Sequence, residues 1–282
     1  MGSGTRMPWV PLGRADDIHN LEIMDEADLV LFVAGNQFMA MEELLEDFRR
    51  LNPSVRKIFY ETLPPGLELR QILAGGARFG DRVLTGTPDV YTSVSVEAME
   101  ELAGRGLVEK YFVYLHNRLV LLVREGNPLG IRGVQDLARG DVIVSQPGEL
   151  EDITRHVRAM YLEAGGRELA DRIMEDKKAL GTTLQTTIHH RETPARLASG
   201  TADVGPVWAT EAAIARRTGQ PVEAVEVGPG LDQSGRVNYY AAKLSGSPNP
   251  ANASRYLDYL LSGRAQEIYA SYGFIPRRAE AP

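Results

Sequence analysis

Short apolar runs alternate with segments of helical periodicity along this chain from residue 28 onward. Such alternation is typical of βα units in an α/β protein. The pattern predicts strands at 28–33, 55–61, 90–93, 117–124, 142–145, 204–208 and 237–242. It predicts helices at 38–51, 67–74, 96–105, 153–164, 169–179, 194–199, 210–218 and 252–272.

The clearest βα unit runs from residue 30 into the helix predicted at 38–51. Its apolar run is continuous, as in a strand buried on both faces, and the chain then turns at Gly35 and Asn36. Asn36 lies where an N-cap is expected, so unpaired N–H groups and the positive end of the helix dipole would face the strand's carboxyl edge. Such a turn suits an anion or a polar ligand. An ordinary βα connection is the alternative.

Composition and charge narrow the functional classes. The chain has 282 residues, 43% hydrophobic and 24% charged, which fits two ordinary globular domains or one large one. Its formal net charge of −7 disfavours a general nucleic-acid binder, because such a protein needs a basic face. The absence of cysteine excludes thiol nucleophiles, disulfides and cysteine-ligated metals.

The apolar runs are too short for a membrane helix, which needs about 18 residues, so direct membrane insertion is not expected. The first six residues, MGSGTR, lack the charged and apolar regions of a signal sequence. We interpret them as an added leader and expect that a native export signal has been removed. Residues 1–27 together are expected to form a leader and an N-terminal arm.

The densest polar cluster is His189, His190, Arg191 and Glu192. Arg191 is suited to pair with a carboxylate or an oxyanion, and a solvated turn before the next helix is the alternative. Adjacent histidines in an extended segment point to opposite faces, so we do not expect a metal ion to be bound by both.

Two further positions are suited to ligand contact. Ser93 ends a predicted strand, although it and Thr92 are equally suited to cap the following helix. Tyr239 lies near the start of the strand predicted at 237–242, where its ring could also be packed in the core and make no ligand contact. The sequence has no Gly-x-Ser-x-Gly elbow, P-loop or His-Glu-x-x-His motif, so no catalytic residue is predicted.

Four separated segments carry a resemblance to a known family. They are DVYTS at 89–93 with MEEL at 99–102, NRLVLLV at 117–123, GTADVGPVW at 200–208, and 253–274 with YLDYLLS and YGF. In this order and spacing they resemble the extracytoplasmic solute-binding proteins of ABC transporters, in particular the molybdate- and tungstate-binding branch of type II periplasmic binding proteins. The likeness extends from about residue 28 to residue 274.

This resemblance implies an α/β fold with two lobes joined by a two-strand hinge, and a ligand held in the cleft between them. Lobe one would comprise 28–116 plus 239–282, and lobe two 117–238. The implied partners are a small anionic solute and a membrane permease, with no nucleic acid and no cofactor. We expect a monomer in the periplasm or another extracytoplasmic space. A ligand-sensing domain of a regulator, or an enzyme on the same scaffold, is the alternative.

The family's ligand-binding positions can be carried over one by one. Its first-helix serine falls on Asn36, and its second-helix serine falls on Pro65, which precedes Gly66 and a Gln-Ile pair. A loop position falls near Asp152 and Ile153, a backbone donor on His190 beside Arg191, and the family tyrosine on Trp208. The full set of expected ligand-binding residues is Asn36, Gln37, Pro65, Gly66, Ser93, Asp152, Ile153, His190, Arg191, Trp208 and Tyr239.

The chain departs from the family pattern in three ways. Proline at position 65 has neither a hydroxyl nor an N–H. An indole with one N–H replaces the phenol at Trp208, and carboxylates accumulate at Glu149, Glu151 and Asp152. These departures favour a larger ligand with an anionic end plus a hydroxyl or apolar part over bare molybdate or tungstate.

Overall fold

The computed structural model describes residues 6–149, 151–187 and 192–277, and its elements confirm the predicted α/β class. The strands are β1 (Ile18–His19), β2 (Leu29–Phe32), β3 (Ile58–Glu61), β4 (Gly76–Phe79), β5 (Arg82–Thr85), β6 (Val90–Ser93), β7 (Val108–His116), β8 (Leu119–Arg124), β9 (Val144–Gln146), β10 (Thr183–Gln185), β11 (Val204–Trp208), β12 (Val222–Val225), β13 (Asn238–Leu244) and β14 (Ile275–Pro276). The helices are α1 (Phe38–Leu51), α2 (Pro65–Ala74), α3 (Val96–Gly104), α4 (Ile153–Asp171), α5 (Lys177–Ala179), α6 (Glu192–Ala198), α7 (Ala209–Arg217), α8 (Pro250–Leu260) and α9 (Gly263–Ser271).

The chain divides into two compact units. Within the described residues, unit 1 comprises 6–115, 238–271 and 275–277, and unit 2 comprises the described parts of 116–237 together with 272–274. The chain passes from one unit to the other after Leu115 and after Val237. The segment Tyr272–Phe274 belongs to unit 2, whereas the resemblance placed it in lobe one.

Unit 1 is built on a seven-stranded sheet in the order β1-β3-β2-β6-β13-β7-β14. Strand β2 is parallel to β3 and β6, while β1 and β13 run antiparallel to their neighbours β3 and β6. The three parallel strands therefore end at one edge of the sheet. Their carboxyl ends carry the turns from which most of the expected unit 1 site residues come.

Apolar residues cover both faces of the unit 1 sheet. On one face, Phe32 and Phe59 pack with Ile72 of α2 and Met99 of α3. Alternate strand residues such as Leu29 and Leu31 point to the opposite face and are fully buried. Helix α8 contacts β13, and α1 and α8 each contact α9. Because both faces of the central strands are buried, these strands have continuous apolar sequences. This is why the pattern located them correctly.

Unit 2 has a five-stranded sheet in the order β10-β9-β11-β8-β12. Strands β10, β9 and β11 are parallel to one another, and β8 and β12 complete the sheet in antiparallel pairs. One core cluster joins Val120 and Val207 of the sheet to Leu197 of α6 and Ala212 of α7. The parallel strand ends of this unit again lie beside helix beginnings.

Several predicted bounds are found unchanged, and others need correction. Helix 38–51 and strands 90–93 and 204–208 have the predicted limits. The helix predicted at 252–272 is two helices, because Ser262 accepts a hydrogen bond from the N–H of Ala265 at 3.2 Å and begins a new one. The stop predicted after residue 164 is a kink, at which Gly165 and Gly166 leave the helical conformation.

The N-terminal segment, expected to be a leader and an arm, is part of unit 1 from residue 6 onward. Strand β1 pairs with β3, and Val10 is buried against the β4–β5 hairpin. Within the described residues, no helix is both long enough and apolar enough to cross a membrane.

Candidate functional site

The turn that follows β2 is packed directly against the loop that follows β3. A Cβ atom at Gly35 would lie 2.7 Å from the carbonyl oxygen of Thr62 and 3.2 Å from that of Leu63. The turn itself is a short 3₁₀ segment, Gly35–Gln37, that leads into α1. Glycine is therefore required for this close approach, which brings two strand ends together at the carboxyl edge of the sheet.

Asn36 is buried in this turn, and its predicted role as a helix N-cap is wrong. Helix α1 begins at Phe38, and the residue before it makes no side-chain cap hydrogen bond. The Nδ2 group of Asn36 instead donates to the hydroxyl of Tyr239, 203 positions away in β13. The side chain of Asn36 therefore bonds to a residue distant in sequence, whereas local sequence reasoning expected it to cap α1.

Gln37 is the centre of a buried polar network. Its Oε1 accepts hydrogen bonds from the hydroxyls of Tyr114 at 2.7 Å and Tyr269 at 2.8 Å. Its Nε2 donates to Thr92 Oγ1 at 3.3 Å, and the same hydroxyl oxygen accepts from the backbone N–H of Ala34 at 2.9 Å. Together with the hydroxyl of Tyr239 in β13, side chains from four elements therefore fix this turn.

The other expected residues of unit 1 lie at the neighbouring strand ends. Pro65 is the first residue of α2, and its carbonyl accepts from the hydroxyl of Tyr91 at 2.8 Å. Gly66 is exposed on the same helix. Ser93 is buried, and its hydroxyl accepts from the N–H of Ser95 at 3.0 Å. Ser95, and neither Thr92 nor Ser93, is the cap of α3.

A protonated carboxyl group lies beside this edge. Glu61, the last residue of β3, is fully buried, and burial raises its pKa to about 8, while the hydrogen bond from Gln71 Nε2 at 3.0 Å opposes the shift. Gln71 Nε2 also donates to the carbonyl of Thr85 at 2.8 Å. At neutral pH the group is mostly uncharged, so it adds no strong negative field to the unit 1 turn.

Unit 2 has a turn of similar construction after β9. A Cβ atom at Gly148 would lie 2.6 Å from the carbonyl oxygen of Thr186. The backbone N–H of Gly148 donates to the hydroxyl of Thr186 at 2.9 Å, and Thr186 N–H donates to the carbonyl of Gln146 at 2.9 Å. The segment that follows β10 therefore packs against the turn at Gly148. In unit 1, the segment that follows β3 packs against the turn at Gly35 in the same way.

A cavity of about 420 Å³ opens beside this turn, along one side of α4. Its basic and amide lining consists of Gln146, Arg155, Arg158, Lys178 and Gln185. Its acidic lining consists of Glu149, Glu151, Asp152 and Glu175. Both charge signs are thus present in one cavity, which lies wholly within unit 2.

The expected ligand-binding residues of unit 2 that are described differ in their positions relative to this cavity. Asp152 lies at the cavity directly before α4, and Ile153 is the buried first residue of that helix. Trp208 is buried at the end of β11, where its ring lies 5.7 Å from that of His156. The carboxylate of Glu211 accepts from the Trp208 backbone N–H at 3.4 Å.

The predictions at His190 and Arg191 lie outside the described residues, as does that at His189. Within the described ranges, no group of three or more histidine and acidic residues could hold a metal ion. Local sequence reasoning also missed Gln146, Tyr114 and Tyr269. A polar residue that ends the apolar run 142–145 was the available signal for Gln146, whereas the tyrosines have no local signal.

Comparison with protein families gives a match over most of the chain. Residues 29–275 match the family described as bacterial extracellular solute-binding protein. The resemblance found in the four sequence segments is therefore confirmed at the level of the family. Among curated proteins, no sequence matches this chain.

Solved structures show the same fold at low sequence identity. The periplasmic molybdate-binding protein of Azotobacter vinelandii has a TM-score of 0.71 and 16% identity, with 89% of this chain and 100% of that chain covered. The sulfate-binding protein SubI of Mycobacterium tuberculosis H37Rv has a TM-score of 0.69 and 17% identity, with 88% and 86% covered. Iron-bound HitA of Pseudomonas aeruginosa has a TM-score of 0.68 and 16% identity, with 89% and 86% covered. These matches confirm the two-lobed α/β fold class, and they leave the ligand open.

Proposed function

This chain belongs to the bacterial extracellular solute-binding proteins, and on that premise we propose that it captures a small anionic solute for an ABC importer. The two units would close on the solute as lobes hinged at the chain crossings after Leu115 and Val237. The protein would deliver the solute to a membrane permease in the periplasm or another extracytoplasmic space. It would perform no reaction of its own.

The observation that carries this proposal is the pair of fixed turns at the carboxyl ends of parallel strands. One turn holds Asn36 and Gln37 in unit 1, and the other follows Gln146 in unit 2. In open α/β sheets, ligands bind at such edges, and the helix beginnings there favour negative charge. Because both turns are fixed by the protein's own groups, little order would be lost on binding.

The proposed ligand contacts in unit 1 are Asn36, Gln37, Pro65, Gly66, Ser93 and Tyr239, and those in unit 2 are Asp152, Ile153, His190, Arg191 and Trp208. Buried hydroxyl and amide groups in unit 1, and guanidinium groups in unit 2, suit an anion. The missing donors at Pro65 support an organic anion over bare molybdate or tungstate.

A solute panel tests this function. Thermal unfolding would be followed with molybdate, tungstate, sulfate, phosphate and a set of organic acids. A solute at 100 times its dissociation constant should add about 2.7 kcal/mol to the free energy of unfolding. Small-angle scattering should then show a smaller radius of gyration with the best solute, because the lobes close.

Two variants locate the site within that experiment. Asn36→Ala and Tyr239→Phe both remove the hydrogen bond between these residues, but only the first removes the amide from the turn. We expect Asn36→Ala to weaken binding more than Tyr239→Phe does. Equal affinity in both variants and the parent would contradict the site, and turnover of the bound solute would contradict a pure binding function.

A further inference from the structure

Gln146 carries a buried hydrogen-bond donor that the described residues leave unused. Its side chain is 1% exposed and lines the cavity beside α4. The Oε1 atom accepts from the hydroxyl of Tyr161 at 2.8 Å, which fixes the amide, but within the described residues Nε2 has no hydrogen-bond partner. A buried donor without a partner costs about 1–3 kcal/mol. The cavity therefore offers this donor to an acceptor that no described residue supplies.

The basic residues indicate what that acceptor belongs to. Arg155 and Arg158 are three positions apart in α4 and so lie on one face of the helix, and both line the cavity. Guanidinium groups bind carboxylates through paired hydrogen bonds. Together with the N–H of Gln146 they suit a carboxylate on the solute.

The acidic residues argue against a solute that carries only negative charge. Three cations line the cavity against four carboxylates, which leaves one net negative charge. Lys178 already lies 3.7 Å from Glu149 in an ion pair, so it is not fully available to an anion. A solute with only anionic groups would meet repulsion here, whereas an ammonium group beside its carboxylate would balance the excess.

We propose that this cavity is the part of the binding site that selects an amino-substituted carboxylic acid, with the carboxylate at Gln146, Arg155 and Arg158 and the ammonium group at the acidic lining. The inference rests on the proposed function, because it names the class of solute that unit 2 recognises. A volume of about 420 Å³ lies in the range of organic ligand sites.

The test compares acids that differ only in the amino group. Isothermal titration calorimetry would measure L-glutamate against glutarate, and L-aspartate against succinate, with tungstate as a bare oxyanion. We expect the better amino acid to bind at least about tenfold more tightly than its deaminated counterpart. Equal or tighter binding of glutarate or succinate would overturn the selection of an ammonium group.

Matched variants assign the effect to the cavity. Gln146→Met and Tyr161→Phe both remove the hydrogen bond between these side chains, but only Gln146→Met removes the Nε2 donor. We expect Gln146→Met to lower the affinity for the amino acid by about tenfold or more. The affinity of Tyr161→Phe should stay within about threefold of that of the parent. Arg158→Ala should also lower this affinity. The substitution should leave the fold intact, because Arg158 is exposed.

The outcomes separate this inference from the proposed function. If tungstate, glutarate or succinate binds and Gln146→Met leaves its affinity unchanged, the chain still binds a solute and only the cavity assignment fails. If none of the five probes binds below about 1 mM, the amino-acid class is wrong. The wider solute panel and the scattering measurement then decide the proposed function by themselves.

Discussion

The turns after β2 and after β9 are built alike, yet they differ in what they leave available. In each unit a glycine lies against the carbonyl of a threonine that directly follows the neighbouring strand: Gly35 against Thr62, and Gly148 against Thr186. In each unit a threonine hydroxyl also accepts a backbone N–H of the turn. Similar packing therefore holds both turns at the carboxyl ends of parallel strands.

The difference lies in the glutamine side chains. Gln37 accepts from two tyrosine hydroxyls and donates to Thr92, so both polar atoms of its amide already have partners in the fold. Gln146 accepts from one tyrosine and keeps a buried donor that no described residue uses. In our proposal the unit 1 turn is a preorganised support, and the unit 2 turn, although also fixed by the protein, offers its unused donor to the ligand. Each of the following substitutions tests one side of this contrast.

The largest expected effect concerns the buried acid of unit 1. The folded-state pKa of Glu61 is raised to about 8 by burial, so the folded chain binds a proton that the unfolded chain loses near its ordinary pKa of about 4.3. Stability is therefore highest below the unfolded pKa and falls as pH rises through the folded pKa. Glu61→Gln should remove this dependence, whose total is on the order of 5 kcal/mol.

Urea unfolding at several pH values between about 5 and 9 measures this change. The exposed Glu109→Gln variant is the control, and its pH dependence should match the parent. A parent slope retained in Glu61→Gln would refute the assignment of the dependence to this residue.

The next effect compares the two glutamines directly. Gln37→Met removes the acceptor of two buried tyrosine hydroxyls, and Gln146→Met removes the acceptor of one. At about 1–3 kcal/mol for each buried group that loses its acceptor, we expect Gln37→Met to cost about twice as much stability. Chemical denaturation gives both values, with exposed Gln220→Met as the control.

The same pair should show the opposite order when a solute is titrated. Gln146→Met should lower affinity more than Gln37→Met, because the Nε2 group of Gln37 already donates to Thr92, whereas that of Gln146 has no partner among the described residues. The opposite result would contradict the proposed contrast between the two turns. In that case Gln37→Met would lower the free energy of unfolding less than Gln146→Met does, and it would lower the affinity for the solute more.

A smaller effect, expected to be equal in the two units, comes from the glycines. An alanine Cβ at position 35 or 148 would lie 2.7 Å or 2.6 Å from a backbone carbonyl oxygen. Because backbone must move to relieve the overlap, each change should cost about 1–3 kcal/mol. Gly66→Ala and Gly140→Ala are matched controls, since nothing lies within 4 Å of a Cβ at either position. Tolerance of alanine at 35 or 148 would show that the turn does not need this approach.

The fold was more accessible from the sequence than the site. Buried parallel strands such as Leu29–Phe32 have continuous apolar residues, and α1 has an unambiguous helical period, so their bounds follow from local pattern. The β4–β5 hairpin and the edge strand β12 were missed, because they alternate with polar or exposed residues and are only four residues long. The two-lobed fold came from the resemblance.

The chemistry of the site depends on contacts between distant parts of the chain. Asn36 was expected to cap α1, but its partner Tyr239 is 203 positions away. Gln146 gives no local sign that its acceptor is bound by Tyr161 while its donor remains unused. Residue types at strand ends can therefore indicate where a site lies, while hydrogen-bond partners decide which groups are left for a ligand.

The smallest expected effect is local and separates the two threonine hydroxyls. Thr92→Val removes the acceptor of the Ala34 N–H, and Thr186→Val removes that of the Gly148 N–H. Each should cost about 1 kcal/mol and speed hydrogen exchange at that one amide. Thr92 also accepts from Gln37, so its loss should spread to the tyrosine network and lower exchange protection in α1.

Thr186→Val should remain confined to its turn until a solute is added. With the best solute bound, protection at Gly148 should rise in the parent and rise less in Thr186→Val, because the ligand stabilises the turn that this hydroxyl helps to hold. The exposed Thr87→Val variant controls for the substitution itself. Identical hydrogen-exchange protection at Gly148 with and without solute would contradict the proposal that the unit 2 turn contacts the ligand.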